Sequence, residues 1–224
     1  MAKPNIKKYI RLQFNKIQSK YDLTHLIEKT CANSLRVNFV DEVLPEGKYI
    51  FLIRDGRDVI ASAIKRWRAQ LDISYILKKA QYVPITDFPY YATQYLFRHL
   101  YRMFSGEKRV SSWGPRFEGM FEMLQNKSLP EVSAAQWVHC VQKARKSLNS
   151  LESNKYLMLE YENFVSNPVE ELQRITDFLT IRIDSEQAAR AVSSITDANV
   201  GKWKTDLDGQ IIEKIMPHIK HTLT

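Results

Sequence analysis

Arg54 closes an apolar run, Lys48 to Ile53, and Asp55, Gly56, Arg57 and Asp58 follow it before an apolar pattern of helical spacing begins at Val59. A guanidinium at the carboxyl end of a strand, beside the free N–H groups of a helix N-terminus, is suited to an anion. Its fork gives paired hydrogen bonds and the helix dipole adds partial positive charge. Ser62 stands eight residues beyond Arg54, about two turns along that helix, where its hydroxyl would reach a phosphate lying against the helix side. The same spacing also suits a surface arginine after an edge strand, with a serine facing solvent. Residue types alone leave both readings open.

The elements that must position these groups follow from the pattern. Lys48 to Ile53 and Lys155 to Tyr161 are short apolar runs, the pattern of parallel strands buried on both faces. After the first, Asp55 is placed to cap a helix, with Asp58 three positions on, and Val59, Ile60, Ala63, Ile64 and Trp67 form one apolar face. Thr24 to Glu28 has the length of a further strand, and Asn33 can cap a helix that runs to Leu44 before Pro45. Helices are expected from Pro130 to Leu151, after Asn167-Pro168, from Asp184 to Ile195 and from Asp206 to Leu223, the last kinked at Pro217. Strands alternating with helices imply a parallel α/β sheet, and such sheets bind ligands at the carboxyl ends of their strands, where Arg54 stands.

Composition bounds the rest. In 224 residues, 44% are hydrophobic and 11% aromatic, enough for a substantial core. Cys31 and Cys140 lie far apart in the chain with no ligand-like spacing around them, so neither a disulfide framework nor a metal site is expected. No apolar run reaches the roughly 18 residues of a membrane span and no secretory h-region opens the chain, which reads as soluble and cytoplasmic. Six of the basic residues behind the net charge of +8 fall in residues 1–21 without an acidic one. Nucleic acid or an anionic membrane would suit them. Ile6, Ile10, Phe14, Ile17 and Tyr21 at helical spacing favour instead the wet side of an amphipathic helix, so no nucleic-acid partner is expected.

Three stretches resemble the sulfotransferase family, which moves a sulfuryl group from 3′-phosphoadenosine 5′-phosphosulfate (PAPS) to an acceptor. "IRDGRDVIASAIKRW" is similar to its 3′-phosphate-binding strand-turn-helix, "LEYENFVSNPVEELQRITDFLTI" to its R-Y-E-D-L-x-x-x-P segment, and "NVGKWKTDL" to its C-terminal G-x-W-K loop. "EKTCANSLRVNFVDEVLP" and "WGPRFEG" resemble bacterial and carbohydrate-type members. The resemblance implies that Arg54 and Ser62 bind the 3′-phosphate, that Tyr161 touches the adenine, and that Gly201 and Lys202 close over the same phosphate. Tyr161 as a core residue and Lys202 as a solvated charge are the other readings. Glu28 matches the catalytic carboxylate of the Glu-Lys-Thr/Ser motif, with Lys29 beside it to meet sulfuryl charge. A plain Glu28–Lys29 pair across a turn is the other reading, and His25 is a weaker base candidate. PAPS is the implied donor, with 3′-phosphoadenosine 5′-phosphate (PAP) as product and no metal.

The resemblance also has a gap. Family members begin with a strand and a phosphate loop near G-x-x-R-S-G-T-T, and none of the glycines at 47, 56, 106, 114, 119, 201 and 209 begins such a loop. A fragment, a second chain or dimer that supplies the loop, and lost catalysis are the three expectations, in that order. Gly56 stands where the family usually has proline, and Cys31 likewise.

The expected organisation is one P-loop-type α/β sulfotransferase domain over 1–224. It comprises a basic amphipathic helix (1–22), an α/β core (23–70 and 131–224) and an aromatic-rich helical cap (71–130). Twelve aromatics between Tyr75 and Phe121, with Arg98, Arg102, Lys108, Arg109 and Arg116, suit either the core of that cap or a sugar-like or anionic acceptor. The expected reaction is sulfuryl transfer to a hydroxyl on a carbohydrate or small molecule. The rivals are a non-catalytic PAP-binding scaffold and a nucleotide kinase-like P-loop transferase.

Overall fold

The computed structural model describes residues 2–68, 93 and 113–223. Two strands, β1 (Tyr49–Ile53) and β2 (Tyr156–Glu160), pair in parallel with Ile53 opposite Glu160. Tyr49, Phe51 and Ile53 turn inward, whereas Ile50 and Leu52 are 41% and 49% exposed. This corrects the reading of β1 as buried on both faces: the strand alternates, with one side against the core and the other open.

Helix α3 (Gly56–Arg68) follows β1 directly, and its apolar face packs on the long helix α5 (Leu129–Leu148). Ser128 and Glu131 start α5 with a reciprocal capping box, and Pro130 in the first turn has no N–H to satisfy. Ile60, Ala61 and Ile64 from α3 meet Ala134, Trp137 and Val141 from α5, with Leu207, Ile215 and Ile219 closing the cluster. A neighbouring cluster joins Ala63, Trp67, Met120 and Val132, bringing in the short α4 (Met120–Asn126). Val37, Ala144 and Leu148 form a third, against which Tyr49 and Tyr156 pack.

After β2 come α6 (Tyr161–Ser166), α7 (Pro168–Leu179) and α8 (Ser185–Val192), the last capped by Asp184 and Gln187. The helix expected from Asp206 is instead two, α9 (Trp203–Asp206) and α10 (Gly209–Ile219). Asp208 breaks the run, since its Oδ1 accepts from Ile211 N at 2.8 Å and starts a new helix.

Other expectations near the N-terminus are corrected. Thr24 to Glu28 forms no strand, because among the described residues the strand pairing is β1 with β2 alone and the segment has no ladder partner. Asn33 lies inside a 3-10 turn (Cys31–Leu35) rather than capping a helix, and α2 (Val37–Val43) follows it. Helix α1 (Pro4–Lys20) buries none of its residues; Ile6, Ile17 and Tyr21 are exposed. Ion pairs dock it instead, Lys7 to Glu42 at 2.7 Å and Arg11 to Glu46 at 2.8 Å, with Arg11 also donating to the Val43 carbonyl at 2.9 Å.

The cap expected over 71–130 falls largely outside the described residues; the part within them, 113–130, contains α4. Among the described residues no helix is long and apolar enough to cross a membrane.

Candidate functional site

The register of β1 and β2 brings Arg54 and Tyr161 side by side, each the first residue beyond its strand. The Arg54 guanidinium lies over the Tyr161 ring, 4.5 Å from its centroid. One terminal nitrogen, Nη2, donates to the Asn199 carbonyl and stands 3.4 Å from Asp58 Oδ2. Its Nε is buried and has no hydrogen-bond partner among the described residues. A buried guanidinium N–H without an acceptor is costly, so the site has a donor to spare.

Asp58 is the hinge pin of the arrangement. Only 3% exposed, it accepts from Gly201 N at 2.9 Å and Trp203 N at 2.8 Å while facing Arg54. Gly201 has a φ of +71°, a backbone state that a side chain would strain. Asp58 was read from sequence as a local capping partner of Asp55. It fastens the C-terminal loop instead, and the signal available was its spacing of four from Arg54, one helical turn.

Around this pin the turn is held by charge. Asp55 N donates to Glu162 Oε1 at 3.0 Å, and the Asp55 carboxylate takes the Arg57 guanidinium at 2.6 to 3.2 Å and the Arg57 N–H at 2.8 Å. Burial pushes the Asp55 carboxyl up, but the Arg57 hydrogen bonds and charge outweigh it and hold the group below its ordinary value. Arg57 in turn lies 4.2 Å from the centroid of the Trp203 ring. Lys202 Nζ donates to Asn199 Oδ1 at 2.8 Å, on the residue whose carbonyl Arg54 uses. Ser62 is exposed on α3 between Asp58, which grips residues 201 and 203, and Lys65, which pairs with Asp206 at 2.8 Å. It therefore lies on the side of α3 that faces the 201–206 segment.

Glu28 and Lys29 stand apart from this cluster. Both are exposed, and no hydrogen bond or ion pair among the described residues joins them to Arg54 or to each other. Glu28 ends no strand, contrary to expectation; its Oε2 accepts from Asn33 Nδ2 in the 3-10 turn. Asn33 Oδ1 accepts from Arg36 Nε at 3.1 Å, so a side-chain chain runs from Glu28 through Asn33 to Arg36. His25, also exposed, is within 3.1 Å of Thr24 Oγ1.

Residues 33–199 match the family described as the Sulfotransferase domain. The chain belongs to that family. The matched span holds Arg54, Asp58, Ser62, Tyr161 and Asn199, and leaves out Glu28, Lys29, Gly201 and Lys202. No curated protein matches this sulfotransferase. Its fold is similar to that of the sulfotransferase domain from the curacin biosynthetic pathway, at 15% sequence identity and a TM-score of 0.54, over 96% of this chain and 69% of the other. The fold is thus an α/β sulfotransferase fold, of which β1, β2 and the helices around α5 are the described core.

Proposed function

We propose that this sulfotransferase transfers a sulfuryl group from PAPS to an acceptor hydroxyl on a carbohydrate or small molecule, and that Arg54 holds the 3′-phosphate half of the donor. The observation that carries this is the buried Arg54 Nε at the carboxyl end of β1, without a partner among the described residues, on a guanidinium already oriented by Tyr161, Asn199 and Asp58. The chain's residues fit such a donor: a guanidinium N–H with no partner among the described residues, a hydroxyl on the helix that follows, an aromatic face and a lysine on a glycine-supported loop.

Arg54 donates to a phosphate oxygen through Nε, and the Tyr161 ring keeps its plane from rotating. Ser62 adds its hydroxyl from the exposed side of α3, and Lys202 brings a cation from the loop that Asp58 fastens. Tyr161 offers the rest of its face to the adenine. When bound, PAPS supplies an activated sulfuryl group. Glu28 takes the proton of the acceptor hydroxyl on Oε1, the oxygen left by its bond to Asn33, and Lys29 meets the charge that develops on the sulfuryl oxygens.

The test is the melting temperature of the full chain with excess PAP and with AMP, which lacks the 3′-phosphate. At about 100 times its dissociation constant a ligand stabilises by roughly 2.7 kcal/mol, so PAP should raise the melting temperature by several degrees and AMP should not. An equal response to both nucleotides, or none from a folded sample, would remove the 3′-phosphate assignment.

A further inference from the structure

We propose that the cavity between the 3-10 turn, the segment 113–118 and α5 is the acceptor subsite, and that it selects an acceptor carrying an anionic group. Naming the occupant as an acceptor rests on the sulfuryl-transfer reading; the preference for an anion rests on the cavity itself. Its volume is about 700 Å³, within the size of sites that take small molecules.

Cationic groups from separate segments meet in its described lining. Among the described residues that line it, Arg36 and Lys143 bring a guanidinium and an ammonium from two different segments, and Arg116 and the carboxylate of Glu118 stand on a third. The Arg36 guanidinium has a planar fork that suits carboxylate, phosphate or sulfate oxygens. Beside them Phe117 stacks on His139, with ring centroids 4.3 Å apart and planes 16° from parallel, giving the cavity an aromatic wall on which a sugar or aryl ring can rest. A neutral acceptor would use the wall and gain nothing from Arg36 and Lys143.

The wall is built in advance of any ligand. Gln136, only 5% exposed, donates to the Trp113 carbonyl at 2.8 Å and the Pro115 carbonyl at 3.0 Å, and its Oε1 accepts from Trp67 Nε1 at 3.3 Å. Gly114 has a φ of +75°, and a Cβ there would stand 3.1 Å from Gln136 Nε2. Gln136, His139 and Lys143 share one side of α5 at helical spacing, so the helix that ties down segment 113–115 also presents the ring and the cation. The cavity adjoins the proposed base as well, because Arg36, which lines it, bonds Asn33, which bonds Glu28.

Calorimetry on the full chain with 4-nitrophenyl β-D-glucuronide and 4-nitrophenyl β-D-glucoside tests this, since the pair differs by one carboxylate. A hydrogen bond to a charged group corresponds to about tenfold in affinity or more. The glucuronide should therefore bind about tenfold tighter, and Arg36→Gln or Lys143→Gln should remove most of that advantage while leaving the glucoside unchanged. Both residues have exposed side chains, so the variants should fold as the parent does. Saturating PAP should leave glucuronide binding intact. Equal affinity for the two glycosides, displacement of the glucuronide by PAP, or inorganic phosphate binding as tightly as the glucuronide would each overturn the proposal. A PAP-specific melting shift without glycoside preference would remove the subsite and keep the donor reading. Glycoside preference without the melting shift would do the reverse.

Discussion

Arg54 and Tyr161, the first residues past β1 and β2, lie with the guanidinium 4.5 Å from the ring centroid. Such a stack fixes the plane of the fork and leaves its edge N–H groups free to donate. We predict that Arg54→Lys, which keeps the charge but has no planar fork, lowers PAP affinity about tenfold or more. Tyr161→Phe should be near neutral, and Tyr161→Ala should weaken binding. Titration of PAP into the variants checks this; normal binding by Arg54→Lys would mean that only net charge matters there.

For Glu28, the expected signature is a split between binding and turnover. General base catalysis contributes about a hundredfold or more, so Glu28→Gln should lower kcat by about that factor and leave the PAP-induced melting shift intact. If turnover is unchanged, the base is elsewhere.

Asp58 binds two backbone N–H groups and faces a guanidinium while buried. Hydrogen bonds to a charged group are worth roughly 1.5 to 3 kcal/mol each, so Asp58→Ala should cost about 3 kcal/mol of stability and weaken PAP binding in parallel. Urea unfolding gives the first quantity and calorimetry the second. A loss of stability with unaltered PAP affinity would make the pin structural only.

Gly56 occupies the family's usual proline position, and the structure gives a reason. A Cβ at residue 56 would stand 2.8 Å from the Trp137 ring, and Trp137 belongs to the core against α3. Gly56→Ala should destabilise by about 1 to 3 kcal/mol, the usual cost of overpacking, and Gly56→Pro should be no better. A Trp137→Leu background should relieve much of the penalty, which a double-mutant cycle measures.

Asp55 gives the acid limb of the stability curve a definite sign. Its folded pKa lies below the ordinary value, since the Arg57 bonds outweigh burial. The contribution is therefore full above the unfolded pKa, about 3.9, and is lost as pH falls through the folded value. Asp55→Asn should be less stable than the parent at neutral pH, with the difference shrinking between about pH 5 and pH 2. A constant gap across that range would contradict the assignment.

The parts of the fold that were legible in sequence are those written in local chemistry. β1, β2 and α7 announce themselves through short apolar runs and Asn167-Pro168, and Arg54 through its place at the end of such a run. Thr24 to Glu28 has the composition of a strand, but a strand exists only if a distant segment offers a ladder, which no local pattern reveals. Helix α1 has the apolar spacing of a packed helix, yet it buries none of its residues: Ile10 and Phe14 are half-buried, Ile6 and Ile17 stay exposed, and pairs from Lys7 and Arg11 hold it. Asp58 was misread for a related reason: three positions from Asp55 it satisfies a local rule, while its partners stand at 201 and 203. The cavity was out of reach because its wall comes from three segments that only the packing of α5 brings together.

The bonds from Asp58 to Gly201 and Trp203 span 143 and 145 positions of chain. Contacts of such separation carry the largest loop-closure cost and form late in folding. During synthesis, α3 is complete long before residue 203 leaves the ribosome, so the Arg54 fork is exposed to solvent without its retaining loop for most of translation. On the proposed donor assignment, nucleotide affinity would arise only once residues 199–203 have returned to α3, which would make PAP retention a gauge of finished folding around that loop.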